Sequence, residues 1–258
     1  HNGFIIKLDA YIREEVCRNM MELRRRGLKN IPVSVNVSRL EFYDPNLCRS
    51  IIDLTERYRL EPQMMRLEIT ESAYTDNPRQ IIEITKKLQA MGFVILMDDF
   101  GSGYSSLKFL KDQRFDVLKM DMAFLKSDTQ RARDIIISII SMDKRIGNRT
   151  LAEGVETQEQ FEFLREIGCE KIQGYYLGRP RPYDETINNC LEKGISVELN
   201  CWKAYYDAIM EVDFLTGHAL LLIEYRDHAY HILFANQKSR ELFWQGDAEK
   251  CRKWEEAF

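Results

Sequence analysis

The segment VILMDDFGSGYSSLKFL, residues 94–110, sets the fold class of this chain. It opens with apolar residues suited to a buried strand and ends that strand on two aspartates. A glycine-containing loop then leads into a stretch with helical spacing. A strand followed by a helix is a βα unit, and repeated βα units build parallel sheets.

Similar units recur along the chain. Short apolar segments rich in β-branched residues predict strands at residues 32–37, 65–69, 94–98, 116–119, 150–153 and 171–173. Amphipathic segments predict helices at residues 5–25, 47–58, 79–91, 105–111, 131–146 and 157–167. The alternation indicates an α/β fold, either an open doubly wound sheet or a closed barrel.

Polar residues at the ends of the predicted strands favour the barrel. They are Asn36, Glu68, Asp98, Asp99, Lys119, Asp121, Glu153 and Gln173. In a (β/α)₈ barrel the carboxyl ends of the strands converge on one mouth, where active sites are built. The first βα turn also lacks the G-x-G-x-x-G pattern of a dinucleotide-binding sheet. We therefore expect a modified TIM-type (β/α)₈ barrel that is incomplete at its amino end, with its two remaining strands upstream of His1.

The pattern changes after Pro182. Helices are predicted at residues 184–193 and 202–210, hairpin strands at 219–225 and 228–235, and a last helix at 236–243. We expect a barrel domain over residues 1–183, a helical connection over 184–210, and a short α+β fragment over 211–258. This fragment resembles the start of a PAS-type sensor domain.

Composition excludes several classes of protein. The chain has 37 basic and 41 acidic residues, a net charge of −4 and a sequence pI near 5.7, so no global basic field favours DNA. No apolar run suits membrane insertion. The six cysteines form no CxxC pair, which favours reduced thiols. We expect a cytoplasmic domain, whether or not the full-length protein is tethered to a membrane.

The strand-end residues suggest metal chemistry, each with a simpler alternative. The adjacent Asp98 and Asp99 favour a divalent cation, or they cap the next helix. Glu68 would bind metal or form a buried ion pair, and Lys119 would orient water or form a salt bridge. Asn36 offers an oxygen ligand, or it is a hydrogen-bonded core amide.

Two later residues and the histidines complete this picture. Glu153 follows a strand, whereas Glu156 is either a supporting carboxylate or one that favours a helix N-terminus. The four histidines, at 1, 218, 228 and 231, lie outside the predicted barrel strands. An oxygen-rich ligand set without histidine or cysteine suits Mg²⁺ or Mn²⁺ rather than zinc. Two such ions would support hydrolysis of a phosphodiester.

Six motifs in one order resemble the EAL-domain family of cyclic-di-GMP phosphodiesterases. They are VNVS at 35–38, LEITES at 67–72, DDFGSGYSSL at 98–107, KMD at 119–121, AEGVET at 152–157 and QGY at 173–175. The resemblance implies a barrel that binds two Mg²⁺ or Mn²⁺ ions and hydrolyses cyclic-di-GMP to linear pGpG. It implies cyclic-di-GMP as a partner, a homodimer, and regulatory domains upstream and downstream in the same protein.

The resemblance also assigns roles to the candidate residues. Metal ligation falls to Asn36, Glu68 and Asp98, with Asp99, Glu153 and Gln173 completing a second site. Lys119 would orient the attacking water, and Glu153 would accept its proton. Glu71 and the loop residues Phe100, Gly101, Ser102 and Gly103 would couple dimerisation to metal binding, while Asp121 would be a supporting carboxylate. Ser102 replaces a frequent threonine.

The name-giving Glu-Ala-Leu motif does not occur in the residues that match the family. We expect it on the two missing strands, so this chain alone should show weak or no turnover. One alternative is a catalytically inactive cyclic-di-GMP receptor. Another, of lower rank, is an enolase-like lyase that uses Lys119 as its base.

Overall fold

The computed structural model describes residues 2–101, 106–121, 129–194, 217–226 and 228–244. The helices and strands follow in the order α1 (Asn2–Arg25), β1 (Val33–Asn36), α2 (Leu47–Arg57), β2 (Met65–Thr70), α3 (Ala73–Asp76), α4 (Pro78–Ala90), β3 (Val94–Phe100), α5 (Ser106–Asp112), β4 (Val117–Met120), α6 (Gln130–Ile146), β5 (Arg149–Ala152), α7 (Gln158–Glu166), β6 (Lys171–Ile172), α8 (Tyr183–Glu192), β7 (Leu221–Arg226), β8 (Ala229–Ala235) and α9 (Gln237–Trp244). Short 3₁₀ turns at Arg39–Tyr43 and Pro62–Met64 lead into α2 and β2.

The first six strands form one sheet in the order β1-β2-β3-β4-β5-β6, and every neighbouring pair is parallel. Strands that follow each other in space as they do in sequence are typical of a barrel, whereas a doubly wound sheet reverses its order at a switch point. The sheet is therefore the incomplete (β/α)₈ barrel that the sequence predicts. All six predicted strands are confirmed, with boundaries shifted by one or two residues.

The two faces of the sheet have different environments because side chains alternate along each strand. On β2, Met65, Leu67 and Ile69 are fully buried in the main hydrophobic core. The intervening Arg66 and Glu68 are only partly buried and lie on the other face. Glu68 is thereby held on the inner face of the partial barrel by its position in the strand.

Helix ends are fixed by local sequence. Thr129 accepts a hydrogen bond from the Ala132 amide at the start of α6, and Gly147 ends that helix with a φ of 76°. At α7, Thr157 and Gln160 form a capping box. These caps set the points at which the chain leaves each helix for the next strand.

Strand β3 carries a β-bulge at its carboxyl end. Met97 pairs with Leu118 and Phe100 pairs with Met120, so β3 contains one residue more than β4 between these two pairs. Asp99 has a φ of 57°, an uncommon conformation for a residue other than glycine. The bulge extends β3 past residue 98, where the sequence pattern ends it.

The C-terminal elements agree with the predicted hairpin and helix. Strands β7 and β8 pair antiparallel, and α9 follows directly. Asn236, between β8 and α9, links the start of the hairpin to this helix. Its side-chain Oδ1 accepts hydrogen bonds from the backbone amides of Leu220, just before β7, and Ser239, in α9, at 3.0 Å each. The predicted helix at 202–210 lies outside the described residues, and the PAS-like identity of the fragment stays a prediction. No helix within the described ranges has the length and apolar character needed to cross a membrane.

Candidate active site

Lys119 lies at the centre of the candidate site. It belongs to β4, whose four residues are all buried, and its side chain is 5% exposed. Its Nζ lies 2.8 Å from Glu68 Oε2, 2.9 Å from Asp98 Oδ1 and 3.3 Å from Glu153 Oε2. These carboxylates come from β2, the end of β3 and the residue after β5, and we call the three of them the acidic ring.

The acidic ring keeps Lys119 positively charged. Burial alone would lower the pKa of Lys119, but the hydrogen bonds that it donates to Glu68 and Asp98, together with the charges of these carboxylates, raise the pKa above its ordinary value. A lysine with a raised pKa is a poor general base near neutral pH. The interaction therefore weighs against the lyase hypothesis, in which Lys119 removes a proton.

The site carries more negative than positive charge. Three carboxylates surround one ammonium, which leaves a formal excess of two negative charges. Burial raises the pKa of the neighbouring Asp99, and the charges of Asp98 and Asp121 raise it further. An anionic cluster of oxygen donors fits a hard divalent cation such as Mg²⁺ or Mn²⁺.

The ring oxygens are, however, engaged by Lys119. No group of three or more His, Cys, Asp or Glu side chains within the described parts of the chain has the arrangement of a ready metal cluster. The geometry therefore contains the salt bridges that the sequence offered as the simpler alternative for Glu68 and Lys119. The helix-cap alternative for Asp98 does not hold, because its carboxylate binds Lys119 and β3 continues to Phe100.

Asn36 and Gln173 extend the site across the sheet. Asn36 pairs with Glu68 in the register of β1 and β2. Gln173 follows β6. Its backbone amide donates to Ala152 O at 2.8 Å, and its backbone carbonyl accepts from the Val155 amide at 3.0 Å. A Cβ on the next residue, Gly174, would lie 2.1 Å from Val155 O, so only glycine permits this close approach.

Glu71 connects the end of β2 to the loop after β3. It is buried, its Oε2 accepts from the Gly101 amide at 3.2 Å, and its own amide donates to Asp98 O at 3.0 Å. Phe100 is also buried, and Gly101 has a φ of 91°. Ser102 and Gly103, the other two predicted loop residues, lie outside the described residues.

Glu156 lies just before helix α7, the position expected for its alternative role as a carboxylate that favours a helix N-terminus. It is exposed, and its amide donates to Gln160 Oε1 at 2.8 Å, next to the capping box of α7. Asp121 affects the site through its charge on Asp99. Of the predicted residues, the structure thus brings the side chains of Glu68, Asp98 and Glu153 into contact with that of Lys119.

Sequence reasoning missed a buried ion pair beside Asn36. Arg13 is 4% exposed and Glu41 is 2% exposed, and the guanidinium contacts both carboxylate oxygens of Glu41. Arg13 lies on the same helical stripe as the core residues Cys17 and Met20. A charged residue at the spacing of a buried stripe is the signal that could have identified it.

Comparisons with known proteins identify the family and support the fold. A sequence model of the EAL domain matches residues 1–180. Over 187 residues the chain is 35% identical to the bifunctional diguanylate cyclase/cyclic di-GMP phosphodiesterase MucR of Pseudomonas aeruginosa, covering 72% of this chain and 27% of MucR. Over 183 residues it is 36% identical to the cyclic di-GMP phosphodiesterase NbdA of the same organism, covering 70% and 23%. The chain thus spans about a quarter of the length of these relatives.

Solved structures show the same fold. The MucR phosphodiesterase in complex with cyclic-di-GMP superimposes with a TM-score of 0.67 at 35% identity, covering 72% of this chain and 76% of that one. A manganese/cyclic-di-GMP complex of Klebsiella pneumoniae BlrP1 gives a TM-score of 0.62 at 24% identity, covering 67% of this chain and 44% of that one. At that identity the second likeness speaks for the fold alone.

Proposed function

Because the chain belongs to the EAL-domain family of cyclic-di-GMP phosphodiesterases, we propose that its barrel mouth hydrolyses cyclic-di-GMP to linear pGpG with the help of divalent cations. The observation that carries this proposal is the acidic ring around Lys119. A cyclic dinucleotide is a dianion, and an acidic mouth cannot hold it without cations to screen the carboxylates.

The metal ligands of this proposal are carboxylate and amide oxygens at the strand ends. They are Asn36, Glu68, Asp98, Asp99, Glu153 and Gln173, and we propose that they hold two ions of Mg²⁺ or Mn²⁺. Bound cations would polarise the phosphoryl group and lower the pKa of water.

Lys119 and Glu153 have different roles in this proposal. Contacts with Glu68 and Asp98 at 2.8 and 2.9 Å hold the Lys119 ammonium at a fixed place, which suits a residue that orients the attacking water. Glu153 has the longest contact in the ring, 3.3 Å, and its side chain is the most exposed of the three, at 37%. It is therefore the ring member best placed to accept a proton from water.

The second candidate function is an inactive cyclic-di-GMP receptor. The observation that favours it is that the ring oxygens bind Lys119 and form no metal cluster among the residues that the structure describes. A receptor needs the mouth to recognise the dinucleotide but needs no activated water. Either function would serve bacterial signalling, and we propose a cytoplasmic domain that acts as a homodimer within a longer regulatory protein.

The deciding experiment compares binding with cleavage. It uses this chain and a completed barrel, meaning this chain preceded by the two strands that bring the sheet to eight. Cyclic-di-GMP affinity and pGpG release are measured in Mg²⁺, in Mn²⁺ and in EDTA. Phosphodiesterase function predicts metal-dependent pGpG release by the completed barrel and weak or no release by the shorter chain.

Variants sharpen the result. Lys119→Ala in the completed barrel should abolish cleavage, whereas Lys87→Ala should not, because Lys87 is an exposed residue of α4. Tight binding without cleavage by the completed barrel would establish the receptor function. Neither binding nor cleavage would overturn both proposals.

A further inference from the structure

The Arg13–Glu41 pair, which we call the tie, joins helix α1 to the segment that follows β1. Arg13 Nη1 lies 3.2 Å from Glu41 Oε2, and Nη2 contacts Glu41 Oε1, so the contact is bidentate. Both residues are nearly inaccessible to solvent. A bidentate pair of this kind fixes orientation as well as distance.

The tie also reaches the backbone at Asn36. Arg13 Nη1 lies 3.5 Å from Asn36 O, and Glu41 Oε2 accepts from the Ser38 amide at 3.0 Å. The Ser38 hydroxyl lies 3.4 Å from the same oxygen and completes a capping box with Glu41. The short segment between Asn36 and Glu41 is thus held at both of its ends by one guanidinium and one carboxylate.

The other side of this segment is held by β2, the strand that carries Glu68. The Val37 amide donates to Glu68 O at 2.9 Å, and Asn36 pairs with Glu68 in the sheet. Asn36 is exposed at the end of β1, an edge strand of the described sheet. Its place beside Glu68 therefore depends on β2 from one side and on the tie from the other.

A buried ion pair is an expensive way to stabilise a fold, because desolvation offsets most of the attraction between the charges. Apolar residues at positions 13 and 41 would pack against the same core at lower cost. The tie provides what an apolar pair cannot, which is a directed contact to the Asn36 carbonyl and to the Ser38 amide. We propose that Arg13 and Glu41 are positioning residues that hold Asn36 in place for the divalent cation.

This inference rests on the proposed function, in which Asn36 is a metal ligand. The test measures the affinity of the completed barrel for Mn²⁺ alone, by titration calorimetry, without a substrate. Removing one member of the tie would leave a buried charge and risk unfolding. The informative variant is therefore the double substitution Arg13→Met with Glu41→Leu, whose fold is checked by circular dichroism.

We expect this double variant to stay folded and to bind Mn²⁺ about 10- to 100-fold more weakly, the usual effect of losing a residue that orients a metal ligand. Asn36→Ala should weaken binding at least as much. Adding Arg13→Met and Glu41→Leu to Asn36→Ala should cause no further loss, because the tie acts through Asn36. Arg18→Met, on the exposed face of α1, serves as the matched control and should leave the affinity unchanged.

The outcomes separate the two proposals. If Asn36→Ala weakens Mn²⁺ binding and the folded double variant binds like the unaltered protein, the inference about the tie is overturned while the metal site stands. Additive losses in the triple variant would also overturn it, because they indicate a general structural effect. If Asn36→Ala itself has no effect, the metal-ligand role in the proposed function fails.

Discussion

A buried carboxyl on helix α6 should make the stability of this protein depend on pH. Asp143 continues the buried stripe of α6 that contains Ala132, Ile136 and Ile140. Its Oδ1 accepts from Asn148 Nδ2 at 3.3 Å, and its Oδ2 has no hydrogen-bond partner among the described residues. No cation among the described residues pairs with it, so a charged carboxylate in this position has lost its water without compensation.

Burial raises the pKa of Asp143 from 3.8 to about 7, the Asn148 hydrogen bond opposes the rise, and the charge of Glu170 adds to it. The folded protein therefore binds the proton more tightly than the unfolded chain does. Stability from this group is present at low pH and is lost as the pH rises from about 4 to about 7. A shift of about three pKa units corresponds to a full loss of about 4 kcal/mol.

The substitution Asp143→Asn removes the charge and keeps an acceptor for Asn148. Its stabilising effect, relative to the unaltered protein, should grow by about 2–3 kcal/mol between pH 5 and pH 8. The measurement is urea unfolding at several pH values, followed by circular dichroism. Asp134→Asn on the exposed face of the same helix should show no such trend, because this side chain is exposed and asparagine keeps the oxygen that accepts from Gln130. An Asp143→Asn effect that is the same at pH 5 and pH 8 would refute the reasoning.

Three further predictions concern the barrel mouth. In the completed barrel, Lys119→Met should retain or strengthen Mn²⁺ binding, because the carboxylates no longer bind the lysine ammonium. The same substitution should lower pGpG release by about 10²- to 10⁴-fold. Unchanged release would show that Lys119 takes no part in the reaction. Glu71→Ala should free the Gly101 amide, raise hydrogen exchange there and weaken Mn²⁺ binding; unchanged exchange would contradict the link. Gly174→Ala should lower the free energy of unfolding in urea by roughly 3 kcal/mol. Gly178→Ala should change it little, because nothing lies within 4 Å of the added Cβ. Equal effects of the two substitutions would contradict the close approach of Gly174 to Val155.

The strands could be predicted from sequence because each is a short apolar run with its polar residue at the end. The prediction for β3 ended at residue 98, since two aspartates look like the end of a buried strand. The strand continues to Phe100 because β4 offers it a partner across the bulge. The register of β4 against β3 is a non-local property, and no pattern within residues 94–100 contains it.

The strand-end residues of the candidate site could also be predicted from sequence. Glu68, Asp98, Lys119 and Glu153 share one edge of the sheet because parallel strands bring their carboxyl ends together. Arg13 and Asp143 were missed because both lie on amphipathic helices, where a charged residue is expected on the solvent side. Whether such a residue is buried depends on the elements packed against it. Arg13 has a partner in Glu41, whereas the Asp143 carboxylate has, among the described residues, only the side-chain amide of Asn148.

The two interpretations that the sequence left open for Lys119, a salt bridge and an orienter of water, describe one arrangement. A lysine that orients water must stay protonated while it is buried, and a buried ammonium stays protonated only if anions compensate its desolvation. Glu68 and Asp98 supply that compensation at 2.8 and 2.9 Å. If a divalent cation takes up the charge of those carboxylates, the pKa of Lys119 must fall toward its ordinary value. The protonation of Lys119 should therefore respond to Mn²⁺, and NMR titration of its side chain with and without the ion would detect the response.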